Sequence, residues 1–460
     1  MTSSADILEG RPLDALRPGL RVSLTQALAA QSLDLATALV GAPEVSITGE
    51  GVGADAALLL QGMVTQLAAQ ELPGPGGSLL GVHLLLRAAP DAGEQVTTSL
   101  EVEALDHQTG SARLVAMISG LGGRVLAEGS LTVRPPAAMV QVPRPERPTL
   151  LLQRHRHMDA LLLRAAALPP LIAAVAWPCD HDSLLGPLEA AQRGIMRPLL
   201  VGPRETIMAA ARAAGAPLDG CEIVEAATPQ QAAAAAVALV REGRAAAVMK
   251  GSLHTDELMA AVVARDGGLR GSRRVSHVFL IDVPSYPKPL LVTDAAINIA
   301  PDLMAKADIV QNAVEFAHAL GIARPKVAVL AAVETVNVKM SATMDAAMLC
   351  KMADRGQITG AIVDGPLAFD NAISLAAAKI KKIVSAVAGE PDILMCPDLE
   401  AGNMVAKQLA YLAHSEAAGL VLGARTPVIL TSRSDTVAAR VASTAMASIF
   451  AAAQLSAAER

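Results

Sequence analysis

The chain of 460 residues carries a net charge of −6, with 52% hydrophobic residues and 2% aromatic ones. That length predicts more than one domain, and a filling dominated by Ala, Val, Leu and Gly suits helices packed closely on parallel sheets. The acidic balance and the lack of a basic run exclude nucleic acid as an expected partner, so an anion must be held by a local cluster of donors.

Residues 1–134 differ in texture from the rest. The opening MTSSADILEGRPLDALRPG has no basic head followed by an apolar core, so no signal peptide is expected. Ala56–Glu71 is apolar, of helical length, and stops at Leu72-Pro-Gly-Pro-Gly-Gly. Gln95–Ala104 and Ser111–Ser119 alternate as exposed strands about a turn at His107-Gln-Thr-Gly110, and Arg124–Val133 follows as a third strand. One long helix and several antiparallel strands predict an α+β layout with a sheet wrapped on a central helix. Residues 135–150 hold five prolines and predict a semi-rigid, extended linker. Leu150–Ala167 predicts a helix whose Arg154, His155, Arg156 and His157 form a solvated face.

From Leu171 the chain alternates short apolar runs with alanine-rich helices. The predicted strands are Leu171–Ala176, Pro198–Val201, Glu222–Val224, Ala245–Met249, Val275–Asp282, Leu290–Thr293, Val327–Ala332, Ala361–Val363, Ile393–Met395 and Val428–Leu430. The predicted helices between them are Gly186–Gly194, Arg204–Ala214, Pro229–Glu242, His254–Ala264, Asp302–Leu320, Ala342–Ala353, Asp370–Val387 and Gly402–Leu412. This is βα repetition, hence a doubly wound α/β domain over 151–460. Ten strands exceed one comfortable sheet, which predicts two α/β lobes with a cleft between them. Cys179, Cys221, Cys350 and Cys396 are too scattered for a zinc site and read as small buried residues in a reducing cytoplasm, so no metal is expected. Apolar runs such as Gln230–Val240 are too short to span a bilayer, so no membrane partner is expected.

Several strand ends in this half break into polar sequence. At Met249-Lys250-Gly251-Ser252-Leu-His254-Thr255, a lysine closes a strand, a glycine permits close approach and a helix begins; this is an anion cradle without the P-loop spacing. Ser276-His277, Thr293-Asp294 with Asn298, Glu334-Thr-Val-Asn337, Val363-Asp364-Gly365-Pro366, and Asp398-Leu-Glu400-Ala-Gly402-Asn403 with Lys407 continue the series. In the last, Val428–Leu430 gives way to Thr431-Ser432-Arg433-Ser434-Asp435 and a helix beginning near Val437. There Ser432 and Asp435 can cap the helix, and Arg433 can meet an anion at its N-terminus. Any one of these is an ordinary cap or turn; seven in succession point to loops converging on one pocket.

Two resemblances are carried by these residues. Gln61-Gly62-Met63, Leu72–Gly76, Ala127-Glu-Gly129 and Val133-Arg-Pro135 resemble a MaoC-like enoyl-CoA hydratase with a hot-dog fold. That family's acid–base pair sits in an Asp-x-Asn-Pro-x-His loop; here the region is Ala38–Val45, with Leu39 in the aspartate position and Glu44 in the histidine position. An apolar side chain cannot move a proton, so the resemblance implies a domain without hydratase activity, left as a dimerisation or acyl-CoA-positioning module.

From Leu171 onward, MKGSLHTDEL, SHVFLID, LLVTDAAINIAPDL, KVAVLAAVETVN, GAIVDGPLAFDNAIS, AGEPDILMCPDLEAGNMVAK and PVILTSRSDT resemble the phosphate acetyl/butyryltransferase family, nearer to its butyryl branch and to proteins that fuse it behind a MaoC-like domain. The resemblance implies a two-lobed, isocitrate/isopropylmalate dehydrogenase-like fold. It also implies acyl transfer between coenzyme A and inorganic phosphate in a ternary complex, with no metal or redox cofactor, by a cytoplasmic homodimer or higher homo-oligomer. By the same resemblance, Ser432 stabilises the tetrahedral intermediate, and Arg433 binds phosphate and polarises the carbonyl. Acetyltransferase relatives have an aspartate base about seven residues past the serine, where this chain has Ala439, so Asp435 is the nearest carboxylate. Lys250, Gly251, Ser252 and Thr255 are implied to cradle phosphate, Asp294 and Glu334 to orient basic groups, and Asn403 and Lys407 to meet coenzyme A. The alternatives are a bifunctional hydratase–acyltransferase and a catalytically silent acyl-CoA-binding scaffold.

Overall fold

Alternation in the first part of the chain resolves into a five-stranded antiparallel sheet. A computed structural model describes residues 7–41, 52–145, 155–218, 220–432 and 435–458, and the chain divides into two units, Met1–Leu152 and Gln153–Arg460. The first contains β1 (Ile7–Gly10), β2 (Arg21–Ala27), α1 (Ala30–Val40), α2 (Ala54–Gln70), β3 (Ser78–Leu86), β4 (Gln95–Asp106), β5 (Ser111–Ser119), β6 (Val125–Arg134) and β7 (Val140–Pro143). The sheet order is β2-β4-β5-β6-β3. α2 buries Leu60, Met63, Val64 and Leu67, a helical stripe of period 3.6, in one core with Leu114, Ala116 and Ile118, which alternate along β5. The expected linker is not wholly extended coil: β7 lies inside it and pairs antiparallel with β1, Ile7 opposite Pro143. Pro143 is tolerated because a two-stranded ribbon has only edge strands. Leu39 stands exposed near the end of α1 (70%), and Glu44 lies outside the described residues.

The second unit begins with α3 (Arg156–Ala166), β8 (Leu171–Ala176), α4 (His181–Gln192), β9 (Met196–Gly202), α5 (Arg204–Ala214), β10 (Glu222–Glu225), α6 (Pro229–Arg241), β11 (Ala247–Lys250) and α7 (Thr255–Val262). It continues with β12 (Ser276–Asp282), β13 (Leu290–Thr293), α8 (Leu303–Ala319), β14 (Lys326–Leu330), α9 (Ser341–Asp354), β15 (Ile362–Leu367), α10 (Phe369–Ile373) and α11 (Leu375–Ile380). It closes with β16 (Ile393–Met395), α12 (Leu399–Leu412), β17 (Glu416–Leu422), β18 (Val428–Ile429) and α13 (Val437–Ala458).

Among the described residues, the eleven strands of this unit join one sheet in the order β10-β9-β8-β11-β18-β17-β12-β13-β16-β14-β15. This corrects the expectation that the strand count would force separate sheets. β17 and β12 run antiparallel through the middle and weld a parallel block of five strands to a parallel block of four. β17 has no counterpart among the predicted strands, because Glu416-Ala-Ala-Gly lacks β-branched residues. Gly419 is required there: a Cβ would stand 2.8 Å from the His277 ring nitrogen of the neighbouring strand. The predicted helix Asp370–Val387 is also corrected. Ser374 takes an extended conformation and caps α11 by accepting the Ala377 N–H, so the segment breaks into α10 and α11. α13 is long and apolar enough to cross a membrane by composition, yet 67% of that stretch is buried within the unit, as in a core helix.

The expected solvated face at the start of α3 holds only in part: Arg156 is exposed, His155 and His157 are half-buried, and Arg154 lies outside the described residues. The buried Asp282 carboxylate accepts the N–H groups of His157 and Met158, both at 2.9 Å, and so caps α3 from the end of β12. Asp282→Ala is expected to cost about 2 kcal/mol, read as a lower urea midpoint at unchanged slope.

Candidate active site

β11 and β18 lie side by side in parallel register, Val248 opposite Val428 and Met249 opposite Ile429. From β8 the chain steps outward to β9 and β10, then returns to β11 on the other side of β8. Ligands bind in α/β sheets where strand order reverses in this way. Lys250 therefore ends its strand beside the segment leading to Ser432. β13 arrives from the opposite direction, Thr293 facing Val278 of β12, which brings the Asp294 turn and α12 over the same part of the sheet.

A cavity of about 250 Å³ lies there, lined by Thr255, His277, Phe279, Asn403, Lys407, Ser432 and Asp435 among others. Five predicted site residues thus meet on one surface. The Ser432 N–H donates to Asp435 Oδ2 at 2.7 Å, which closes the turn between β18 and α13. Capping of α13 falls to Thr436, whose hydroxyl accepts the Ala439 N–H at 3.1 Å, so Asp435 has a local role other than capping. Burial raises the Asp435 pKa above its ordinary value. The Ser432 N–H and the charges of Arg440, Lys250 and Lys407 oppose that rise. One carboxylate sits within the field of three cations, the local positive cluster that an acidic protein needs to hold an anion. Arg433 lies outside the described residues.

The other predicted residues take different positions. Lys250 is buried, with Nζ donating to the Gly251 carbonyl at 3.3 Å. Gly251 and Ser252 do not present free backbone donors. Their N–H groups donate to the carbonyls of Ala176 and Trp177, at 2.8 and 2.9 Å, and the Ser252 hydroxyl donates to Trp177 as well. A Cβ on Gly251 would come within 2.4 Å of both carbonyl oxygens, so this glycine serves strand-end packing. Asp294 is buried and does not line the cavity. Its two oxygens accept the N–H groups of His277, Ala296 and Ile297 and the Asn298 amide. It shapes the turn on which α12 rests: a Cβ on Gly402 would stand 2.2 Å from the Asp294 carbonyl, and Asn403 Nδ2 donates to Ala295 at 3.0 Å. Lys407, one turn further along α12, reaches the cavity from that support. Glu334 pairs with Lys381 at 3.2 Å and accepts from Asn371, apart from the cavity lining.

Two neighbours of the site carried no assigned role in the sequence: His277, marked there only as part of a polar strand end, and Arg440. His277 is fully buried, and burial pulls its pKa down to about 4, so the ring is neutral at pH 7. It bonds the Leu430 carbonyl and meets Phe279 edge-on at 4.4 Å, which gives the cavity an uncharged floor. Arg440 is buried and reaches under the turn. Its guanidinium donates to Thr431 Oγ1 at 2.7 Å and to the Ser432 carbonyl at 3.0 Å. Gly186 of α4 leaves the slot through which the side chain passes, since a Cβ there would lie 2.8 Å from Arg440 Cβ. The sequence did hold a signal: Arg440 is the single charged residue between Val437 and Ala458. Arg440→Met is expected to lower kcat at least tenfold, about 1.4 kcal/mol of barrier, and Arg440→Lys to recover part of that loss. Steady-state kinetics on both variants, with circular dichroism as the folding control, measure this.

Residues 222–448 match the family model described as "Phosphate acetyl/butaryl transferase". Over 294 residues the chain is 56% identical to a phosphate acetyltransferase of Rhizobium meliloti, covering 64% of this chain and 93% of that relative. It is 41% identical over 297 residues to a phosphate butyryltransferase of Clostridium beijerinckii, covering 65% of this chain and 98% of that one. A solved branched-chain phosphotransacylase from Enterococcus faecalis V583 is 28% identical and superposes with a TM-score of 0.55, covering 61% of this chain and 99% of that structure.

Proposed function

The chain belongs to the phosphate acetyl/butyryltransferase family, and we propose that its acyl transfer takes place in the cavity between α12 and the turn from β18 to α13. It is an acyltransferase that moves an acyl group between coenzyme A and inorganic phosphate. The observation that carries the siting is the convergence of Thr255, Asn403, Lys407, Ser432 and Asp435 on one surface, with Lys250 and Arg440 acting on Asp435.

In this reading a phosphate oxygen attacks the thioester carbonyl carbon, and the carbonyl electron pair moves onto oxygen. The Ser432 hydroxyl donates to that oxyanion. Arg433, next in the chain, binds the phosphate and polarises the carbonyl. Collapse re-forms the carbonyl, breaks the C–S bond and releases the thiolate. The proton carried by phosphate passes through Asp435 to sulfur. In the reverse direction Asp435 takes the thiol proton, and the thiolate attacks the acyl phosphate. No acyl-enzyme forms. Lys250 and Lys407 supply positive charge for the phosphate groups, Thr255 and Asn403 supply polar contacts at the rim, and Asp294, with Gly251 and Ser252 behind Lys250, holds the framework. The two parallel blocks welded at the centre suit a dehydrogenase-like, two-lobed arrangement of the second unit.

Thiol release from acyl-CoAs of increasing length, followed with and without phosphate, tests the reaction. Release is expected only with phosphate and in step with acyl phosphate, and phosphate-independent release contradicts it. Arg433→Ala is expected to lower turnover at least tenfold and to raise the phosphate KM; unchanged kinetics would remove Arg433 from the site.

The first unit, a sheet around one buried helix, fits a hot-dog domain without hydratase activity, because Leu39 cannot move a proton. The full chain is accordingly expected not to hydrate an enoyl-CoA. A cytoplasmic homodimer or higher oligomer completes this reading.

A further inference from the structure

A second cavity, of about 370 Å³, adjoins the first, and Ala410, Tyr411, Ala417 and Asp435 line both. We propose that this second cavity takes the acyl chain, and that it admits an unbranched, unsubstituted chain longer than acetyl. The inference rests on the siting of acyl transfer given above.

The two cavities differ in chemistry. The first has Lys407 in its lining, with Asn403, Thr255 and Ser432. The second has no cation among its described lining residues, and its charged members are the carboxylates Glu416 and Asp435. Coenzyme A carries several phosphate charges, which two carboxylates without a cation repel. Its pantetheine arm carries amides that need hydrogen-bond partners along its length; the second cavity has hydroxyls at Tyr411, Ser415 and Thr436, but its α3 and α13 walls, Met158, Ala438, Ala439 and Ala442, are apolar. The part of an acyl-CoA that suits such walls is the hydrocarbon chain. The junction is at Asp435, beside Ser432, where the thioester carbonyl stands in the proposed reaction. A chain leaving that carbonyl passes Asp435 into a slot whose width is set by alanines of α13. Each further methylene that leaves water there raises kcat/KM by roughly three- to fourfold.

Steady-state kinetics of the full chain with acetyl-CoA and hexanoyl-CoA, both with phosphate, test this. The unaltered protein is expected to turn over both. Ala439→Leu, which fills the slot from α13, is expected to lower the ratio of kcat/KM for hexanoyl-CoA over acetyl-CoA at least tenfold. Ala438→Leu, at a more exposed position on the same wall, is expected to shift the ratio the same way and decides the matter should Ala439→Leu fail to fold. An unchanged ratio in a folded variant overturns the proposal, as does an equal loss for both substrates, which would put coenzyme A in this cavity. Turnover of acetyl-CoA but not hexanoyl-CoA by the unaltered protein overturns it too, and leaves phosphate acyltransfer at the first cavity standing. No transfer with either acyl-CoA overturns that underlying reading, and the chain-length proposal with it.

Discussion

Replacing Ser432 by alanine is expected to lower kcat by about 10²–10³, the cost of removing one donor from a developing oxyanion. KM for acyl-CoA should move little, because the lost bond strengthens only as negative charge builds on the carbonyl oxygen. The fold should not suffer. Ser432 is exposed, and one contact that closes its turn, its own backbone N–H to Asp435, is retained by alanine. Stability is expected to change by no more than about 0.5 kcal/mol. Equal losses in stability and rate would instead make Ser432 a turn residue without a share in the chemistry.

Asp435→Asn is expected to move catalysis and stability in different directions. As the group that relays the proton between phosphate and sulfur, Asp435 should be worth about 10²–10⁴ in rate. Its stability term has the other sign. Burial raises the folded-state pKa above the unfolded value, so its contribution favours the fold below the ordinary aspartate range and is lost as pH rises through the folded pKa. At pH 7 the charged, part-buried carboxylate therefore opposes folding, although Arg440, Lys250 and Lys407 offset part of that. Asparagine keeps an oxygen for the Ser432 N–H and removes the buried charge. The variant should thus melt at the same temperature as the unaltered protein or higher at pH 7, and any advantage should vanish near pH 4. The acidic limb of the kcat/KM profile, set above the ordinary carboxylate range, should disappear with it. Full activity in Asp435→Asn would confine Asp435 to closing the turn.

The sequence made the second unit legible where local pattern and tertiary packing agree. Leu171–Ala176, Leu290–Thr293 and Ile393–Met395 are strands at the predicted limits, because short buried parallel strands are apolar at every position. Lys250, Ser432 and Lys407 were legible as polar residues at the ends of strands or on the helix after one. Pattern failed where a single long-range contact decided the outcome. Gly419 belongs to a strand because His277 needs its empty side; the break in Asp370–Val387 is instead local, an extended Ser374 whose hydroxyl caps α11 by accepting the Ala377 N–H. Gly251 and Ser252 have the composition of an anion cradle, but their donors turn inward to the end of β8, a choice that only the neighbouring strand's position decides. Arg440 was legible in principle. A lone charge in an alanine-rich buried helix must find partners, and it finds them on the turn that holds Ser432.

A crystal structure of the full chain with bound coenzyme A tests the siting of the reaction most directly. The thiol is predicted within hydrogen-bond reach of the Asp435 carboxylate and next to the Ser432 hydroxyl, with coenzyme A phosphates on the Lys407 side of the cavity. A coenzyme bound with its sulfur remote from both Ser432 and Asp435 would contradict the account.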